Sequence, residues 1–158
     1  MSGRNGLVLA FGNPVRGDDG IGPAAAEYLE KCGIGGLTVD TDYQLCLEDT
    51  LSVADHDFTV FIDATLEGEE PYIFEQVEGR EDPSVFSHSL EPSRIIGLVK
   101  SLFGKERTGY LLGIRGYDFT MFSEGMTEKA RSNMNKAMEF ITAFLKKEIE
   151  TGGYNERR

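Results

Sequence analysis

The sequence has few of the residues that cross-link or anchor small proteins. Its 158 residues include two cysteines, Cys32 and Cys46, which lie too far apart for a CxxC redox or zinc motif. We expect both to be reduced structural thiols, as in cytosolic proteins. No apolar run approaches the roughly 20 residues of a membrane span, and the N-terminus lacks the basic and apolar regions of a signal peptide. The expected location is therefore the cytoplasm, with no membrane span.

Basic residues are also scarce, with 16 lysines and arginines against 27 aspartates and glutamates, for a formal net charge of −11. A surface with this charge repels phosphate backbones, so nucleic acid is not expected as a partner, whereas a cation or a protein with a basic patch is easier to accommodate. The length and a hydrophobic content of 40% fit one domain over 1–158. We expect its core at about 6–150 and a frayed tail at 151–158.

Hydrophobic patterning predicts alternating strands and helices. Strands are expected at 6–12, 37–42 and 58–64, and helices from residue 19 or 21 to 32, ending before Gly33, and at 45–54. This order predicts an α/β fold, a doubly wound three-layer α/β/α sandwich with a twisted, mostly parallel sheet of about five strands. Segment 72–77 has no crossover helix before it and is expected to be the one antiparallel strand, at an edge of the sheet.

Three further elements complete the prediction. A helix is expected at 93–103, with Pro92 near its first turn and Ser89 as a candidate cap, followed by a strand at 109–115 and a long amphipathic helix at 126–150. Two apolar helix faces are predicted: Leu47, Leu51 and Ala54 in the second helix, and Met134, Ala137, Met138, Ile141 and Leu145 in the last.

The turn after the first strand, FGNPVRGDDGIGP, combines glycines with two adjacent carboxylates. It lacks the GxGxxG spacing of dinucleotide-binding loops and the lysine of a P-loop. Asp18 and Asp19 would place negative charge where phosphate oxygens lie, so the turn favours a cation over a nucleotide. Either aspartate could instead cap the following helix.

Asp63 ends the third predicted strand, and Asp19 follows the first. In a sheet of order 2-1-3 these strands are neighbours, and their connections diverge to form the crevice in which such folds bind ligands. His88 could return to this edge, because the preceding loop can span ~30 Å at roughly 3.3 Å per residue. Two carboxylates and an imidazole suit borderline divalent metals such as nickel and zinc. A loop-capping role for Asp63 and a surface role for His88 stay open, and His56 is expected to be a solvated turn residue.

The same turn resembles the signature of the nickel–iron hydrogenase maturation proteases. The resemblance continues through YQLCLEDTLSVADHDFTVFIDA, HSLEPSRIIGLVKSLFG, LLGIRGYDF and SEGMTEKA, and spans roughly residues 7–144. Some family members have glutamate at the position of Asp19. Another branch of the family has Gly-Gly-Thr where this chain has Asp42-Tyr43-Gln44-Leu45. This difference concerns which type of hydrogenase would be the substrate.

The resemblance implies an endopeptidase of the aspartyl type. Such enzymes remove a C-terminal peptide from the precursor of the hydrogenase large subunit after nickel has been inserted. It implies that Asp19, Asp63 and His88 are catalytic and metal-contacting, with Asp18 as a further candidate. It also implies that Gly12 and Asn13 bind substrate. The nickel is supplied by the substrate, and no permanent metal is expected.

Other functions remain as alternatives. The same three ligands could serve a non-enzymatic nickel-sensing or chaperone module, and the fold could serve a flavodoxin-like nucleotide-binding domain, against which the acidic turn argues. A general zinc peptidase is a third alternative, although the chain has no HExxH motif.

Overall fold

The computed structural model describes residues 3–80, 90–123 and 125–151. The described residues form a five-stranded sheet: β1 (Gly6–Phe11), β2 (Leu37–Asp42), β3 (Phe58–Thr65), β4 (Tyr72–Val77) and β5 (Thr108–Arg115). The strand order is β2-β1-β3-β5-β4, and every neighbouring pair is parallel except β4 with β5. The predicted 2-1-3 order and the antiparallel edge strand are therefore confirmed.

Four helices cover the two faces of this sheet: α1 (Ile21–Cys32), α2 (Asp49–Ala54), α3 (Pro92–Phe103) and α4 (Glu128–Glu150). Successive side chains of β3 alternate between the faces. Val60 and Ile62 join the core formed with α1 and α4, whereas Phe61 joins the core formed with α2 and α3. The three-layer sandwich is thus confirmed.

The ends of the helices follow their local sequence. Gly33 ends α1 in the left-handed conformation (φ 62°), as its position predicts. Pro92 opens α3 after Glu91, while Ser89, the candidate cap, lies outside the described residues. The side chain of Thr127 caps α4, which begins at Glu128 and buries the predicted apolar face completely. In the described part of the chain, no helix combines the length and apolarity that crossing a membrane requires.

The second helix differs from its prediction. It begins at Asp49 because the carboxylate of Asp49 accepts a hydrogen bond from the Cys46 N–H (2.8 Å), which holds the preceding residues in a turn. The six-residue helix buries Val53 and Ala54 in the core with α3. The prediction of a face through Leu47 and Leu51 is therefore wrong, and both leucines are more than half exposed.

We predict that Gly22→Ala destabilises the fold although alanine favours helices. A Cβ at this position in α1 would meet the backbone of Phe11, so the helix would have to move away from β1. Overpacking of this kind costs about 1–3 kcal/mol. Urea unfolding measures the loss. Gly35→Ala, which has open space around the added methyl group, is the matched control, and equal stability of the two variants would contradict the prediction.

Candidate active site

The connection from β1 to α1 holds the first site carboxylate. Asp19 lies in a single 3-10 turn, Gly17–Gly20, and its Oδ2 accepts a hydrogen bond from the Asn13 N–H (2.7 Å). Gly12 has φ 152° and passes so close to the Asp19 carbonyl that a side chain there would collide with it. This close approach fixes Asp19 at the carboxyl end of β1.

Gly12 and Asn13, predicted to bind substrate, line the same bend. Gly12 is buried and Asn13 is half-buried. The Oδ1 of Asn13 accepts a hydrogen bond from the Val15 N–H (3.1 Å), so this side chain shapes the turn. A role in binding substrate stays a prediction for both residues.

The second carboxylate is Asp63 on β3. It pairs with Gly113 of β5 and lies two residues before the strand ends at Thr65, rather than at its end as predicted. Burial, and after it the negative charge of Asp19, raise the pKa of Asp63 to about 7, although a hydrogen bond from the Ala64 N–H opposes this shift. The two carboxylates therefore interact, as the strand order predicts.

Asp18 occupies a different environment from its neighbour. It has no exposed surface, and its carboxylate accepts four hydrogen bonds. The donors are the N–H groups of Tyr117 (2.7 Å), Asp118 (3.0 Å) and Thr127 (2.7 Å) and the Thr127 hydroxyl (3.0 Å). These contacts favour a structural role, in which Asp18 ties the loop between β5 and α4 to the β1–α1 turn.

Helix capping by either aspartate, the alternative drawn from the sequence, is wrong. The residue before α1 is Gly20, and no side chain caps the helix or the turn that precedes it. The physical reason is that the two carboxylates have other donors, the Asn13 N–H for Asp19 and the 117–127 segment for Asp18.

The two histidines are in different situations. His88, the predicted third ligand, lies outside the described residues. His56 precedes β3, at the opposite end of that strand from Asp63, and its ring nitrogens contact the Ser52 carbonyl (2.7 Å) and the Thr38 hydroxyl (3.1 Å). Within 3–80, 90–123 and 125–151, no group of three or more histidine, cysteine, aspartate or glutamate side chains is placed to hold a metal ion.

A groove of about 310 Å³ lies beside the Gly12 bend. It is lined by Gly12, Pro14, Pro23, Thr41, Asp42 and Tyr43. Tyr43, whose side chain is 68% exposed, stands where the other branch of the family has its Gly-Gly-Thr stretch. Asp42 and Tyr43, two of the residues at which the sequence departs from that branch, line the groove.

Tyr117 and Thr127, which were not predicted from the sequence, hold Asp18 from about 100 residues away. Tyr117 also donates its hydroxyl to Glu70 Oε2 (2.6 Å) and accepts from the Asn133 amide (2.8 Å). The loop after β3, the loop after β5 and α4 are thus joined at the carboxyl edge of the sheet. No local pattern signals such contacts.

Doubly wound sheets bind ligands at the switch point of the strand order, and in this chain the acidic pair lies there, at the carboxyl ends of β1 and β3. No protein-family model matches the chain. A protein of Methanocaldococcus jannaschii with the provisional name of a hydrogenase maturation protease is 25% identical over 159 positions, which cover 93% of this chain and 100% of the relative.

Solved structures of hydrogenase maturation proteases share the fold. The hydrogenase maturating endopeptidase HybD of E. coli superposes with a TM-score of 0.70 at 20% identity, over 90% of this chain and 93% of that one. The [NiFe] hydrogenase maturation protease HycI of Thermococcus kodakarensis gives 0.67 at 22% identity, over 91% and 94%. The resemblance found in the sequence is confirmed: this chain has the fold of the hydrogenase maturation proteases, which are peptidases.

We predict that Asp63→Asn flattens the pH dependence of stability. The pKa of Asp63 rises from 3.8 to about 7 on folding, so between these pH values the folded chain holds a proton that the unfolded chain has lost. The contribution of Asp63 to the stability of the parent chain should therefore fall by on the order of 4 kcal/mol as pH rises through this window, and then level off. Urea unfolding between pH 4 and 8 measures the slope. Glu75→Gln, at an exposed carboxylate of β4, should leave the slope unchanged, and an unchanged slope in Asp63→Asn would refute the shift.

We predict that Asp18→Ala destabilises the chain far more than Asp19→Ala. The first change leaves three backbone N–H groups without their acceptor, at about 1–3 kcal/mol each, whereas the second removes the acceptor of one. Thermal unfolding of both variants at pH 7 compares them. Equal midpoints would show that Asp18 does not hold the loop.

Proposed function

We propose that this chain is an endopeptidase that removes a C-terminal peptide from the nickel-loaded precursor of a hydrogenase large subunit. The observation on which the proposal depends is the interacting pair of Asp19 and Asp63 at the carboxyl edge of the sheet. The names of the similar proteins, hydrogenase maturation proteases, support the choice of substrate.

The acidic pair favours a cation that arrives with the substrate. Two carboxylates in a half-buried place repel each other, and a divalent ion between them relieves this repulsion. In the proposal, Asp19, Asp63 and His88 complete the coordination of nickel that the precursor already holds. Because three ligands with competing protons bind a free ion weakly, the site fills only when the substrate supplies the ion, and cleavage follows nickel insertion.

The same carboxylates can serve the hydrolysis. In the proposal, the attacking water is activated either by the nickel ion or by one of the two carboxylates acting as a general base. Asp19 is held in position by the Asn13 N–H. The groove beside Gly12 and Tyr43 gives the chain around the scissile bond an extended path into the site.

Incubation of the purified chain with precursor, with and without nickel, tests the proposal by mass spectrometry. The nickel-loaded precursor should lose a C-terminal peptide, and the nickel-free precursor should not. Asp63→Asn and His88→Ala should each lower the rate at least 100-fold while circular dichroism stays unchanged. His56→Ala, at the remote edge of the sheet, should cleave at the parental rate.

The outcomes separate the alternatives. If the precursor keeps its mass while nickel passes to or from the chain, the chain is a nickel-sensing or chaperone module and the peptidase proposal is wrong. If Asp63→Asn and His88→Ala both cleave normally, the proposed site is wrong. A thermal shift with nucleotides, in the absence of any cleavage, would favour the flavodoxin-like alternative.

A further inference from the structure

Two neighbouring loops present three exposed apolar side chains beside the acidic pair. Val15 belongs to the β1–α1 connection and is 45% exposed, while Met121 and Phe122, in the loop between β5 and α4, are 51% and 80% exposed. We call these three residues the apolar rim. The proposed hydrolysis uses none of them.

The backbones of the two loops are joined directly. The Phe122 N–H donates to the Val15 carbonyl (2.6 Å), and Arg16 and Ser123 form a parallel bridge. Val15 and Phe122 therefore lie opposite each other, as paired residues of adjacent strands do. Gly17, with φ 56°, lets the first loop approach Asp118 so closely that a side chain at residue 17 would collide with the Asp118 carbonyl.

Asp18 fixes the position of the rim relative to the acidic pair. Its backbone N–H donates to the Asp118 carbonyl (2.7 Å), and its carboxylate accepts from the Tyr117 and Asp118 N–H groups. Asp19, the next residue, is one of the two site carboxylates. A molecule that reaches the acidic pair from this side therefore contacts an apolar rim whose position relative to Asp19 is fixed.

Phe122 has an unfavourable backbone conformation that packing within the chain does not offset. Its φ of 63° is left-handed, and within the described parts of the chain no other residue except glycine has a positive φ. Glycine or asparagine would adopt this conformation more easily, and an 80% exposed ring gains little from packing within the chain. Strained backbone conformations cluster at functional sites, and aromatic residues are enriched in protein–protein interfaces.

We propose that the apolar rim is the docking surface for the folded body of the substrate protein, next to the site that cuts its C-terminal peptide. The inference rests on the proposed function. A net charge of −11 disfavours a second copy of this chain as the occupant. The complementary partner surface is an apolar patch with basic residues at its border, where it meets Asp118 and the acidic pair.

Cleavage kinetics with nickel-loaded precursor test this inference. Phe122→Asn removes the ring and keeps the left-handed backbone, so KM should rise at least 10-fold while kcat at saturating precursor stays within twofold. Phe122→Tyr, which keeps an aromatic ring at this position, should have the parental KM. Leu102→Gln, at a 57% exposed leucine near the end of α3, is the matched control for lost surface apolarity and should leave KM unchanged.

Calorimetric titration of precursor into the same variants measures binding without cleavage. If Phe122→Asn binds the precursor with parental affinity and cleaves it with parental KM, the docking inference is wrong although the proposed function stands. If the parent chain neither binds nor cleaves the precursor, both are wrong. If sedimentation shows a dimer of the parent chain that Phe122→Asn abolishes, with precursor affinity unchanged, the rim joins two copies of the chain and the assignment to the substrate is overturned.

Discussion

The carboxylate of Asp18 is the contact on which the arrangement of this site depends. A fully buried negative charge is costly unless donors surround it, and here four donors from residues 117–127 do so. Three of those donors are backbone N–H groups of the loop between β5 and α4, which would otherwise lack acceptors, and the fourth is the hydroxyl of Thr127, the residue that caps α4. One buried side chain thus satisfies several N–H groups and joins the first turn of the chain to its last third.

This contact explains why two adjacent aspartates behave so differently. In the Gly17–Gly20 turn, consecutive side chains point in different directions, so Asp18 enters the protein and Asp19 stays at the edge of the sheet near Asp63. The Asp18 carboxylate accepts four hydrogen bonds, whereas the Asp19 carboxylate at the edge of the sheet accepts one from the Asn13 N–H. Electrostatic strain is therefore confined to the place where a cation can relieve it.

The sheet order and the meeting of Asp19 with Asp63 could be predicted from the sequence, because parallel strands bring their carboxyl ends to one edge. The face of α2 could not, since a six-residue helix is oriented by its contact with α3 and not by its own periodicity. The role of Asp18 and the conformation of Phe122 depend on partners far away in the chain. Local patterns have no information about such pairings, and the sequence resemblance supplied site residues but not these supports.

The reach of the Asp18 contact also bears on the order of events during synthesis. The β1–α1 turn leaves the ribosome early, but the groups that enclose its buried carboxylate belong to residues about 100 positions later. A nascent chain that ends before Tyr117 has both site carboxylates but none of the groups that enclose the Asp18 carboxylate. The acidic pair therefore acquires its final geometry only when the loop after β5 and the start of α4 have been translated.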